Sequence, residues 1–574
     1  MTVEDATRPD GTVTAPGLFA MFIVAGAFAC LLMLDPFGIG TASSQRSEQA
    51  VLRITAPLYE GSDRVAVVLI DDAFIARTGS TWPVGYAVQG KLLRSIMQAQ
   101  PAGVFVDLVY RRPHEGATDT ATADARSDDS PGDLTAPLER FANTPLVIAG
   151  QIRRDVDAAV APALCTAKPS ALRESLLDDN SVLPVLSQWV AAQPTARGIA
   201  LVGWWGCGDR YPLILAGRAT EESPAFALLS RYCALNGESS RECAPLKDSA
   251  TIEAHFARPM VVRWGAYPPA TQQPYYAAGV CQRYATPDGA PSYVRRLWTS
   301  LQQLLLGVFE DLRAARNPNV ALPCPSVEVI PASVLWSGDA GIARELLAGR
   351  FVMVGASVSG IADWHQSPVH GQVPGVVLHA MALDNLLSLG TRYATELSGF
   401  VSTVVATVLL VILAFVAPRV HLQWRERNDR RLAAAALAVW LGLAGFLAWS
   451  GASGGTVFAA VAIGLALDLI APMQTFGYVL IVVLSAIGAS TLLRIGIAPA
   501  NWIGMILVAM AFFLTSKQFF RDEHRKGFPH KASFVWPALR PWLGRLEFHR
   551  FERRDAPTVV KSAQSAPPPS EESS

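Results

Sequence analysis

Residues 350–390 read RFVMVGASVSGIADWHQSPVHGQVPGVVLHAMALDNLLSLG, and this stretch decides the fold. Phe351 to Val354 is a short unbroken apolar run, the pattern of a strand buried on both faces. Small residues follow in a turn: Gly355, Ala356, Ser357, Ser359 and Gly360. Then come Asp363 and a loop punctuated by Pro368, Gly371, Pro374 and Gly375. The spacing predicts a helix over 376–389. Pro374 fixes φ, and Gly375 permits the turn that enters that helix. From residue 398 the chain becomes almost continuously apolar. The stretch is therefore the last piece of a folded domain and its connection to a membrane bundle.

Composition agrees with that division. The 574 residues are 51% hydrophobic and only 17% charged, with mean hydropathy +0.27. A soluble globular chain carries about a quarter charged residues, so this one leans towards membrane. The formal net charge is zero, which leaves no global field to attract nucleic acid. No nucleic-acid partner is expected.

Residues 1–16 are polar and read as a disordered N-terminus. Gly17 to Leu34 is an uncharged run long enough to span a bilayer. A signal anchor is the favoured reading. A cleaved signal peptide ending at Ala27-Phe28-Ala29 and a lipoprotein site at Cys30 are the alternatives. Residues 36–396 read as one α/β domain with a mixed, mostly parallel sheet. Its strands are expected at Arg64–Ile70, Gly103–Leu108, Pro145–Gly150, Gly198–Val202 and Met260–Trp264. A helix is expected over Tyr86–Ala99, where Leu92, Leu93, Ile96 and Met97 recur at helical spacing. Strand, helix and strand in that order make a βαβ unit, which favours parallel pairing. Residues 111–135 read as a solvated loop, and 170–190 as partly helical. The segment 205–330 reads as a disulfide-braced elaboration with a helix near 293–315.

Further apolar spans are expected near 398–417, 432–449, 456–472, 475–493 and 500–515, with three passes as the alternative to five. Arg419, Arg425, Arg427, Arg430 and Arg431 place one loop in the cytoplasm, as do Lys517, Arg521, Arg525, Lys526 and Lys531 for the tail. Both termini are then cytoplasmic and the large domain extracytoplasmic. A multi-pass membrane protein is then expected, with the tail 516–574 basic and partly disordered. Within the tail, 534–551 mixes aromatics with arginines in a way that suits the membrane interface. Six cysteines, Cys165, Cys207, Cys233, Cys243, Cys281 and Cys324, all fall in the domain. An oxidising compartment permits disulfides among them. Free buried thiols are the weaker reading, and only Cys233–Cys243 suggests itself as a local pair.

Several short motifs occur in order within this frame: VAVVLIDD (65–72), Trp82-Pro83, GVFVDL (103–108), FVMVGA (351–356), Asp363, Ser367-Pro368, Pro374-Gly375-Val376 and His379-Ala380. Together they resemble the CHASE2 family of bacterial extracytoplasmic sensory domains, over residues 36–396. The resemblance implies a sensory input domain followed by membrane spans and, in many members, a kinase or cyclase. This chain has Val84-Gly85-Tyr86 where the family often continues with Trp-Pro-Arg. It also shows no P-loop, no kinase glycine loop and no cyclase after the spans. A stand-alone sensor working through a separate cytoplasmic or membrane partner is expected, with no enzymatic activity and no cofactor.

Candidate ligand-binding residues follow from the strand order. Asp71 and Asp72 end one strand, Asp107 lies within another, and Asp363 follows the last. The C-terminal edge of a parallel sheet is where open α/β folds bind ligands. Carboxylates there suit a cation or an amine. Capping of helices and turns is the commoner use of such residues. Trp82 could line a pocket or simply anchor the next helix. His379 lies on the predicted last helix, with His365 and His370 before it. Their spacing matches no metal-ligand pattern, so no metal site is expected. The input would be a small molecule or an envelope component. A scaffold subunit of an envelope complex is the rival reading. An extracytoplasmic hydrolase is disfavoured, because neither G-x-S-x-G nor H-E-x-x-H is present.

Overall fold

The computed structural model describes residues 39–111, 130–153, 175–203, 210–215, 221–237, 240, 242–247, 252, 255–267, 292–300, 303, 325–336, 339–360, 363–396 and 487–498. All of them fall in one compact unit, Ala25–Leu514. The expected spans at 17–34, 398–417, 432–449, 456–472 and 500–515 lie outside the described residues, as do the tail and residues 475–486 of the span expected over 475–493, of which only 487–493 are described. Among the described residues no helix is long and apolar enough to cross a membrane.

Six strands form the central sheet: β1 (Val65–Asp71), β2 (Gly103–Val109), β3 (Leu146–Gln151), β4 (Arg197–Val202), β7 (Glu328–Pro331) and β8 (Phe351–Ser357). Their order is β4-β3-β2-β8-β1-β7, and every pairing is parallel. The stretch that opens at Phe351 therefore supplies a central strand. Its Met353 is paired with Val67 on one side and Phe105 on the other. Unbroken apolar runs fit because both faces are covered. Val65, Val67, Phe105 and Met353 point to one core, and Ala66, Val68, Val104 and Val354 to the other.

Helices α1 (Ile39–Thr55), α2 (Asp72–Thr78), α3 (Tyr86–Gln98), α4 (Pro131–Thr135), α5 (Pro184–Ala191), α6 (Pro224–Asn236), α7 (Ala332–Leu335), α8 (Ala340–Leu347) and α9 (Gly375–Leu389) complete the main frame. Helices α3, α5, α7 and α8 cover the second core, and α6 and α9 the first. Two small antiparallel sheets stand apart. One is the hairpin β9 (Trp364–Ser367) with β10 (Gly371–Pro374). The other joins β5 (Arg210–Tyr211), β6 (Met260–Val261) and β11 (Ala394–Thr395).

Two local expectations change. The end of the expected 111–135 loop is helix α4, where the Asp133 carboxylate accepts from the Ser130 amide at 2.8 Å. It packs so closely on α3 that a Cβ on Gly90 would lie 2.3 Å from the Asp133 carbonyl. The expected strand 260–264 pairs only through Val261. Beyond it, the Asn385 side chain accepts from the Arg263 amide and donates to the Arg263 carbonyl, both at 2.9 Å, replacing a strand partner. The edge strand β7 is short and ends in Pro331, whose missing N–H suits an edge.

Cys233 at the end of α6 is bonded to Cys243, ten residues on, with Cα atoms 5.3 Å apart. Cys165, Cys207, Cys281 and Cys324 lie outside the described residues. Replacing both Cys233 and Cys243 with serine is expected to cost roughly 3 kcal/mol by freeing the short loop in the unfolded chain. An unchanged denaturant midpoint would contradict that.

Candidate functional site

Strands β2 and β8 are neighbours whose onward connections leave on opposite faces. From β2 the chain reaches α4, whose Leu134 lies in the second core, whereas from β8 it reaches α9 in the first. Such a switch point opens a crevice at the carboxyl ends of the strands. Asp107 stands there. The β2–β8 pairing ends at Val106, and the β2–β3 register slips between Val106 and Val109. Asp107 is thus the residue at which β2 leaves both partners, a bulge of the kind that re-aims a side chain.

Asp107 shares the face of Phe105, towards α9. Its side chain is 9% exposed, and the His379 Nε2 atom lies 3.8 Å from its Oδ2, beyond hydrogen-bonding range. On the other side of the imidazole, Nδ1 lies 2.9 Å from the Tyr211 hydroxyl. That hydroxyl also accepts from the Ala225 amide at 3.2 Å. Phe105 meets the ring edge-on at 5.6 Å.

Burial dominates the electrostatics. It pushes the His379 pKa down to about 3, with His365 adding to the effect, so the ring is neutral. Burial also pushes the Asp107 carboxyl well above the usual range, and Asp363 raises it further. Asp363 is an exposed residue just before β9, and desolvation of its carboxyl raises it too. Its carbonyl accepts from the Gly375 amide at 3.0 Å. A Cβ on residue 375 would lie 2.5 Å from Asp363 Oδ1. The missing side chain at Gly375 therefore lets Asp363 rest on the first turn of α9.

The other sequence candidates are placed differently. Asp71 caps α2 by accepting from the Phe74 amide at 2.8 Å. Asp72 accepts from the Ser359 amide at 3.2 Å and hydroxyl at 2.6 Å, tying the turn after β8 to α2. Trp82 is 37% exposed and joined to Pro83 by a cis peptide. None of these three makes a described contact with Asp107. His365 stacks on Trp264 at 6.1 Å, and His370 meets the same ring at 5.6 Å. Among the described residues no three His, Cys, Asp or Glu side chains converge on a possible metal position. The structure thus unites Asp107, Asp363 and His379, and adds Tyr211. No sequence signal marked Tyr211, which sits on a two-residue strand.

A second polar cluster lies five residues further along α9, about 7.5 Å up its axis. Asp384 is fully buried and accepts from the Tyr59 hydroxyl at 2.9 Å and the Ser62 amide at 2.5 Å. Burial pushes its carboxyl up to about 7 against the opposing pull of those two hydrogen bonds. With Asn385 holding Arg263, adjacent side chains of α9 clamp two irregular segments. The polar pair Asp384-Asn385 within an otherwise apolar helix was the available signal.

No curated protein and no solved structure matches the chain. The family model of the CHASE2 domain, an extracytoplasmic sensory domain, matches residues 24–417. That match takes in the sheet, the crevice and α9, and the chain belongs to the CHASE2 domain family.

Proposed function

We propose that the chain is a membrane-held sensor that takes a small ligand in the crevice between β2 and β8 and passes the change through α9 to a separate membrane or cytoplasmic partner. The observation that carries this reading is the place of His379. It walls the crevice from the same helix that leads, through Gly390–Arg392, to strand β11. There the exit of the domain meets other segments in one small core. Val51 and Leu52 of α1 pack with Ala394, with Ala489 and Leu493 at the end of the span expected over 475–493, and with Ala498 just after it. Thr395 also pairs with Ile497. A shift of α9 would be felt at once by the entry helix, the exit strand and the end of that span. A ligand moves this equilibrium only if it binds the two arrangements of α9 unequally.

The contact at residues 487–498 supports an orientation with that segment on the domain's side of the membrane. The arginine-rich loop and tail are then cytoplasmic, and the partner engages them. The full-length protein, crosslinked in membranes and purified, is expected to yield a partner whose recovery changes in Asp107→Asn and His379→Gln at unchanged thermal stability. If both variants and deletion of 516–574 leave every partner's recovery unchanged, the reading fails.

A scaffold role in an envelope complex is favoured by one observation. Residues 293–300 are helical and expose Tyr293, Val294 and Leu297, the composition of a protein-binding patch. That reading expects recovery of a partner to fall with Leu297→Glu and to ignore His379→Gln.

A further inference from the structure

We propose that the domain takes the extracytoplasmic proton as an input: a protonated Asp384 closes a clasp between α9 and the segment Tyr59–Ser62, and its ionisation loosens that clasp. This rests on the reading of α9 as the route of the signal, and not on what enters the crevice.

Geometry is the first argument. The Asp384 carboxyl is fully buried and enclosed by the chain that enters from α1. Tyr59 donates its hydroxyl to Oδ2 at 2.9 Å, and the Ser62 amide donates to Oδ1 at 2.5 Å. Between them, Gly61 lies so close that a Cβ there would be 2.9 Å from Oδ2. With α9 itself packed on the first core, the carboxyl reaches water by the lifting of this segment. Residues 59–62 belong to no helix or strand, so lifting them breaks no ladder and costs less than opening the sheet.

Charge is the second argument. Among the described residues Asp384 is in no ion pair. The buried acids Glu48, Glu222 and Glu328 are matched by Arg210, Arg231 and Arg350. The charged and titratable neighbours of Asp384 leave it unmatched. Tyr59 keeps its hydrogen, because burial and then Asp384 hold the phenol well above its usual range. Asp63 adds repulsion. Arg263 lies against the Tyr59 ring, and Arg494 acts on Arg263. Glu60 is paired with Arg296 at 2.7 Å, and Arg64 with Glu242. An ionised Asp384 in the closed clasp has two donors and no countercharge, a costly burial.

Linkage sets the direction. Burial pushes the carboxyl of the closed clasp up to about 7, and an opened one returns towards its ordinary 3.8. Between those values each pH unit weakens the clasp about tenfold, and above them it weakens no further. Acid closes the clasp, and neutral pH loosens it. The change reaches the junction described above, since Leu52 before Tyr59 and Ala394 after Asp384 pack there in one small core.

The test is hydrogen exchange of the full-length protein in detergent at pH 5, 7, 7.5 and 8.5, each rate divided by that of an unstructured chain at the same pH. The peptide spanning 56–64 is expected to be at least about tenfold better protected at pH 5 than at pH 7, and equally protected at pH 7.5 and 8.5. At pH 7 it is expected to exchange faster than β3, by local opening. Asp384→Asn should flatten the profile. Tyr59→Phe removes a donor that favours the charged carboxyl, so its loss of protection should run on past pH 7.5. This second variant serves equally if Asp384→Asn does not fold. Four results overturn the clasp: a flat wild-type profile, the wild-type profile kept in Asp384→Asn, a Tyr59→Phe profile that stops where the wild type does, or protection of 56–64 equal to that of β3 at every pH. A profile abolished by Asp107→Asn also overturns it, by placing the titration in the crevice. The crevice reading stands or falls separately, on partner recovery in Asp107→Asn and His379→Gln.

Discussion

Asp384→Asn is expected to make the protein more stable than wild type at pH 8 and no more stable at pH 4. The native carboxyl is pushed up to about 7 by burial, whereas the ordinary value is 3.8. Below pH 4 both native and unfolded chains hold the proton, and the stabilisation is fully present. As pH rises from 4 to 7 the unfolded chain releases its proton first, so stability falls through that window and levels off above it. The loss is on the order of 4 kcal/mol from a shift of this size. Asparagine copies the protonated form. Its oxygen accepts from the Ser62 amide, and its NH2 stands where the other carboxyl oxygen faces Tyr59, whose hydroxyl then accepts instead of donating. Asp384→Ala leaves both partners bare and is expected to be less stable than Asp384→Asn at every pH. The Arg263 guanidinium lies 5.0 Å from the centroid of the Tyr59 ring. Unfolding of the full chain in detergent, followed by tryptophan fluorescence across pH 4–8, measures the effect. Parallel pH profiles for wild type and Asp384→Asn would show that Asp384 does not titrate in that window.

Gly355→Ala is expected to destabilise the domain by about 3 kcal/mol, the upper end for overpacking. A Cβ at 355 would lie 2.5 Å from Val376 Cβ and 2.6 Å from its Cγ1. Val376 is β-branched and its Cβ is fixed to the helix backbone, so no rotamer relieves the contact. The first turn of α9 must lift from β8, carrying Gly375 away from Asp363 and moving His379 within the crevice. Hydrogen exchange should therefore speed up in the first turn of α9 more than in β1 or β3. Stability within about 0.5 kcal/mol of wild type, the ordinary range for a surface change, would sink the idea. The two predictions act on the same helix. Gly355 sets how closely α9 lies on the sheet, and Asp384 sets how firmly it holds the chain that enters from α1.

The sequence by itself determined the parallel sheet. Unbroken apolar runs at 65–70, 103–106, 146–149 and 351–354 can be buried only on both faces, and a β-α-β order leaves parallel pairing as the short solution. It also placed Asp107 and Asp363 near the carboxyl ends of such runs, and His379 on the last helix. The local bridge Cys233–Cys243 was legible because ten residues close a loop without reference to the rest of the fold. Strand order was not legible. That β8 inserts between β1 and β2, so that Asp107 faces the helix after β8 and Asp71 does not, depends on long-range pairing that no local period encodes. Asp71 and Asp107 look alike in sequence, each near the end of an apolar run. Asp71 finds a local amide, that of Phe74 three residues on, whereas only the tertiary structure buries Asp107 against α9. Tyr211 and the clamp of Asp384 on Tyr59 and Ser62 belong to the same class: they join residues more than 150 positions apart, and burial, which sets their chemistry, exists only once those segments meet.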